Sequence, residues 1–190
     1  MTIFLILAPY GVFATLMLVG SATTSLFTAA AICLLAIAYD AYRGRSIKVL
    51  GAGSALVFAA LGGYLAVTGD TWGVSAVKFT VDAGILAIAL VSIAVGKPFT
   101  LQYARETEDA ETAQMPGFVF ANYVITWAWV LAILLMMAAN MLAVYVPGMP
   151  LWSGLAVAFA ARNTAIYFSR WYPEYWKAKL AATAMAPQPS

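Results

Sequence analysis

Residues 118–146 read FVFANYVITWAWVLAILLMMAANMLAVYV, a run without a single Asp, Glu, Lys or Arg. A helix of about 20 residues crosses the hydrocarbon of a bilayer, so this run can span one with turns to spare. Its first turns, with Asn122 and Tyr123, are expected in the interface unless the helix tilts. Working outward, five further apolar blocks are separated by short polar punctuation: Thr2 to Gly20, Leu26 to Tyr42, Ile47 to Val67, Gly73 to Val95 and Leu151 to Tyr172. The expected fold is an all-α membrane protein, a bundle of six transmembrane helices. Residues 1–180 form one transmembrane domain in this reading, and 181–190, with two prolines and no charge, form a disordered cytoplasmic tail.

Composition points the same way. Of the 190 residues 64% are hydrophobic and 9% charged, against roughly a quarter charged in soluble domains. So few charges could not cover the surface of a water-soluble fold. The formal net charge of +2 comes from basic residues spread through the loops, which argues against a nucleic-acid partner. Histidine is absent and Cys33 is the single cysteine. That excludes disulfides within the chain, and no zinc site, metal site or cofactor is expected. Cys33 lies in an apolar run and reads as a small packed hydrophobe.

The distribution of Lys and Arg sets the expected orientation. Arg43, Arg45 and Lys48 follow the second block, Lys97 and Arg105 the fourth, and Arg170, Lys177 and Lys179 the sixth. The intervening loops carry one charge, Asp70. Alternate loops share a side, so the basic loops and both termini are expected in the cytoplasm. Trp72, Tyr145 and Trp152 at the outer ends, and Tyr42, Trp171, Tyr172, Tyr175 and Trp176 at the inner ends, fit headgroup depth. The first block also admits a signal-peptide reading, with Gly20-Ser21-Ala22 as a small-residue cleavage region; no Lys or Arg precedes it and the apolar stretch is long. Five spans remain if that block is removed or re-entrant.

Gly51, Ala55, Ala59 and Gly63 recur every fourth residue in the third block, a stripe expected to let another helix approach closely. No repeat at a fixed period is visible.

Three charges break the apolar pattern. Lys78 and Asp82 share one face of the fourth helix, and Arg162 lies near the centre of the sixth, where a charge costs roughly 2.5–3.5 kcal/mol on insertion scales. Asp82 is the expected partner of Arg162, as an ion pair locking two helices or as the lining of a polar cavity. Asn122, Thr126, Trp129 and Asn140 share a face of the fifth helix, and Asn163 adjoins Arg162. They are expected to make interhelical hydrogen bonds or to complete a polar interior.

The densest local pattern is KPFTLQYARE at 97–106. Phe99, Leu101 and Tyr103 are expected on the inner membrane surface, with Lys97 and Arg105 at the headgroups and Pro98 ending the preceding helix. Glu106, Glu108, Asp109 and Glu111 then form an acidic stretch expected to be solvated.

This run, followed by Pro116, Phe118, Asn122, Ile125-Thr126 and Trp129, resembles a group of small, uncharacterised bacterial integral membrane proteins over about the central third of the chain. More distantly, Gly62-Gly63, Lys78, Thr80 and Lys97-Pro98 are similar to the intracellular septation protein family, inner-membrane proteins linked to envelope synthesis and division. That resemblance implies a bacterial inner-membrane scaffold or accessory factor without catalytic residues, whose partners are the lipid bilayer and other membrane proteins or a second copy. The interaction loop would then comprise Lys97, Pro98, Phe99, Tyr103, Arg105 and Glu106. The alternative is a small-solute or proton transporter or channel using Lys78, Asp82, Asn140, Arg162 and Asn163.

Overall fold

The computed structural model describes residues 2–106, 108–109, 111–146 and 151–184, with side chains for 8–179 of these other than 143, 151 and 155. The described residues form seven α-helices: α1 (Thr2–Val19), α2 (Ala22–Tyr42), α3 (Val49–Thr68), α4 (Val74–Ala94), the short α5 (Phe99–Ala104), α6 (Pro116–Tyr145) and α7 (Leu151–Ala184). A 3-10 turn at Thr112–Gln114 precedes α6. The fold is an all-helical bundle in which four segments are long and apolar enough to cross a membrane: Ala22–Tyr42, Val49–Thr68, Val74–Ala94 and Pro116–Leu142. Ala8–Val19 of α1 is a shorter apolar stretch.

The ends of these helices follow from local chemistry. Ser21 accepts a hydrogen bond from the Thr24 N–H at 3.1 Å, so α2 starts at Ala22 rather than at Leu26. Pro116 occupies the first turn of α6, where a missing N–H costs nothing. Gly44 and Gly96 adopt φ of 69° and 76°, and both stop their helices in the same way. The N–H of Arg45 reaches back to Asp40 and that of Gly44 to Ala41; the N–H of Lys97 reaches Ser92 and that of Gly96 reaches Ile93. These two left-handed glycines turn the chain at the end of the bundle that carries Arg43, Arg45, Lys48, Lys97 and Arg105, called here the basic end. α7 continues past Pro173 for 34 residues in all, roughly 50 Å at the helical rise. The helix therefore includes 181–184, which the sequence placed in a disordered tail; 185–190 lie outside the described residues.

Neighbours in sequence are neighbours in space: α1 packs on α2, α2 on α3, α3 on α4, α4 on α6 and α6 on α7. Phe58 of α3 is fully buried, with the rings of Tyr10 and Phe13 of α1 at centroid distances of 5.8 and 5.3 Å. Leu50, Ala89, Phe99 and Val130 form a second core nearer the basic end. α3 and α4 approach each other closely at two glycines, and the contact is reciprocal. A Cβ at Gly53 would stand 2.6 Å from Ile88, and one at Gly84 would stand 2.7 Å from Val57. Each glycine thus receives a branched side chain from the facing helix.

The small-residue stripe of α3 is used over half its length. Gly51 faces Ile37 of α2 at ordinary contact distance and Ala55 is buried, but Ala59 is exposed and nothing lies within 4 Å of a Cβ at Gly63. The tight contact is made by a different face of the same helix, because Gly53 and Val57, not the stripe, meet α4.

Candidate functional site at the basic end

The charges within the helices do not converge. No ion pair joins Asp82 and Arg162 among the described residues, because α6 packs against both α4 and α7 and takes the place between them. Lys78 is the charge that acts on Asp82, one turn away on the same helix. Asn163 is exposed and donates to the Phe159 carbonyl of its own helix at 2.7 Å.

The polar face expected on α6 is divided among three neighbours. Asn140 Nδ2 donates to the Ser75 carbonyl of α4 at 2.9 Å. Trp129 Nε1 donates to Ser169 Oγ of α7 at 3.0 Å. The hydroxyls of Thr126 and Thr100 lie 2.7 Å apart, each 2.9 Å from the Asn122 carbonyl, which ties α6 to α5. These are interhelical hydrogen bonds to three different helices, and among the described residues they do not meet in one place. Removing the Asn140 amide takes away this interhelical bond while the Ser75 carbonyl keeps its place in the α4 ladder, and Asn140→Ala is expected to cost about 1 kcal/mol, visible as a lower melting temperature in detergent.

At the basic end the side chains do converge. Lys48, in the turn before α3, is 5% exposed and places Nζ 2.6 Å from Asp40 Oδ2 of α2 and 3.1 Å from Glu106 Oε1, just beyond α5. Arg45 adds a second cation 3.5 Å from Asp40. The Lys48 ammonium also stands 5.5 Å from the centre of the Tyr103 ring, a cation–π contact. Burial holds the Tyr103 hydroxyl well above the ordinary phenol range, so it stays protonated. Gln102 Oε1 accepts the otherwise free Val49 N–H at the start of α3 at 2.8 Å. Lys48 is thereby a clasp that holds the α2–α3 turn to the segment after α4.

The segment at 97–106 sits differently from its expected place. Pro98, Phe99 and Leu101 are buried in the bundle rather than lying on the membrane surface. Ser92 Oγ accepts the Phe99 N–H at 3.1 Å, and Phe99 packs with Leu50, Ala89 and Val130. Once the Gly96 turn points the chain inward, these apolar side chains have a core to enter. Lys97 and Arg105 stay exposed and make no ion pair among the described residues.

The acidic stretch divides its work. Glu106 joins the clasp, and Glu108 pairs with Lys177 of α7 at 3.4 Å. Asp109 accepts the backbone N–H of Thr112 at 2.8 Å and of Glu111 at 3.0 Å. The Thr112 N–H holds the Asp109 carboxyl below its ordinary pKa. A lowered folded-state pKa stabilises the turn above about pH 4, and that contribution is lost as acid protonates the carboxylate. No group of three potential metal ligands occurs among the described residues.

Two hollows adjoin the clasp. A cavity of about 190 Å³ runs between α1, α2 and α3, with Tyr10, Cys33 and Ser54 at its deep end and Asp40, Arg43, Arg45 and Lys48 at its mouth. A groove of about 560 Å³ beside it is lined by Arg45, Ser46, Lys97, Gln102, Arg105 and Glu106 among others. No protein-family model, curated protein or solved structure matches the chain. The site therefore stands on its own geometry.

The sequence counted Lys48 among loop cations and did not single out Asp40 or Gln102. The spacing Asp40, Arg43, Arg45, Lys48 across one turn was the available signal. Its third member, Glu106, lies too far along the chain for spacing to join it.

Proposed function

We propose that the chain is a six-span bacterial inner-membrane protein with both termini in the cytoplasm, serving cell-envelope or division assembly as a non-enzymatic scaffold. Its contact surface is the cytoplasmic segment from Lys97 to Gly117. The observation that carries this reading is the Lys48 clasp, supported by Gln102 on Val49 and Glu108 on Lys177. These bonds hold the described residues of the segment against the bundle and leave Lys97 and Arg105 exposed beside an open groove. A fixed, charged surface suits recognition of a partner better than a loose linker does.

The experiment is a fluorescent fusion in a bacterial host. The fusion is expected to concentrate at division or wall-growth sites, and Lys97→Glu with Arg105→Glu is expected to spread it evenly while the protein remains folded. An even distribution of the unaltered protein overturns the proposal. The transporter reading is favoured by one observation, the half-buried Asp82, which accepts no hydrogen bond from the described residues. It requires Asp82→Asn to abolish flux in proteoliposomes without loss of folding. The scaffold reading expects no flux in either protein.

A further inference from the structure

The 190 Å³ cavity has two chemically different ends. Along α2 its lining runs from Cys33 to Asp40 and along α3 from Ser54 to Lys48, so both helices give it a depth of roughly 10 Å. Pro9, Cys33, Ala36, Ile37, Leu50 and Gly51 make the inner wall apolar. The polar atoms at the bottom are already occupied: the Tyr10 and Ser54 hydroxyls bond each other, and Ser54 donates to the Leu50 carbonyl at 2.6 Å. Water would find few partners there, while an apolar hollow of about 150 Å³ is enough for a benzene-sized group.

The mouth favours an anion. Arg43, Arg45 and Lys48 face Asp40 and Glu106, leaving one positive charge in excess. Asp40 is drawn closer to Lys48 than to Arg45. Arg43 makes no ion pair among the described residues and lies 5.7 Å over the Tyr39 ring. The adjoining groove shares Arg45 and adds Lys97 and Arg105. Basic pockets between membrane helices are sites for anionic lipid headgroups.

We propose that this cavity binds an anionic phospholipid, its phosphate between Arg43 and Arg45 and the first part of one acyl chain against the wall formed by α1, α2 and α3. The proposal stands whether or not the basic face serves an assembly.

Cys33 lines the cavity and is the single cysteine, so its alkylation by N-ethylmaleimide reports occupancy. The full chain in a neutral maltoside detergent is labelled with phosphatidylglycerol, phosphatidylcholine or glycerol 3-phosphate present, and native mass spectrometry counts the lipid retained. Phosphatidylglycerol is expected to slow labelling at least tenfold and to be retained at one per chain. The Arg43→Gln, Arg45→Gln double variant should need at least tenfold more of it. Gly51→Leu should abolish both effects by filling the hollow, since a Cβ there meets only Ile37 at 3.9 Å; Ala36→Leu repeats the test from the facing helix. Equal protection by phosphatidylcholine overturns the headgroup assignment, and protection by glycerol 3-phosphate alone makes it a site for a free anion. If labelling is insensitive to lipid and none is retained, the proposal fails.

Discussion

Lys48→Met is expected to destabilise the folded chain by about 3 kcal/mol, near the lower end of the roughly 3–5 kcal/mol lost when one member of a buried ion pair is removed. The methionine keeps an unbranched apolar stem, one atom shorter, and withdraws the ammonium with its contacts to Asp40, Glu106 and the Tyr103 ring. Asp40 keeps Arg45 at 3.5 Å, but among the described residues Glu106 keeps the Ser46 hydroxyl alone, at 3.5 Å. The lower end applies because these two carboxylate side chains, 22% and 19% exposed, retain some access to water. Heated in detergent at one fixed scan rate, since such unfolding is seldom reversible, the variant should melt several degrees below the parent. Adding Asp40→Asn and Glu106→Gln should recover most of the loss, because neutral amides no longer need the ammonium. An unchanged melting temperature for Lys48→Met would show that the clasp holds nothing.

Gly84→Ala tests the other close contact, and its expected cost is about 1–3 kcal/mol. The new methyl would lie 2.7 and 2.8 Å from the two Cγ atoms of Val57. A helical valine has essentially one side-chain rotamer, so Val57 cannot turn aside and α3 must move off α4. The remedy is specific: Val57→Ala on the Gly84→Ala background removes both clashing atoms and should restore most of the stability. If Gly84→Ala melts with the parent, the two helices are not held at this distance.

Four membrane-length helices of the six expected were legible because such a helix needs only length and the absence of charge, which a run such as 118–146 displays directly. Errors arose where hydropathy and hydrogen bonding part company. Ser21 looks like loop but caps α2, so the helix begins a turn before its apolar block. Charges beyond Tyr172 end the apolar pattern of the last block while the backbone of α7 continues through them. In the candidate site, Asn140 and Trp129 share a face by spacing, but which helix meets each depends on packing that one helix cannot reveal. The Asp82 and Arg162 pairing failed for the same reason. Depth along the membrane normal can be counted in residues; the order of helices around the bundle cannot. The clasp was hidden because Lys48 and Glu106 are brought together by the packing of α5, which follows from Phe99 finding a core.

The order of packing, each helix against its predecessor, bears on synthesis. A new helix can find its neighbour already made, so little of the bundle has to wait for sequence still inside the ribosome. The Lys48 clasp is the exception. Asp40 and Lys48 can meet early, but Glu106 emerges only after α3, α4 and α5 have been completed. Until then the ammonium has one of its two carboxylates, and the mouth of the inner cavity lacks Tyr103 from its lining. Completing it is a late event, governed by the arrival of a segment three helices beyond Lys48 rather than by the helices that form the walls.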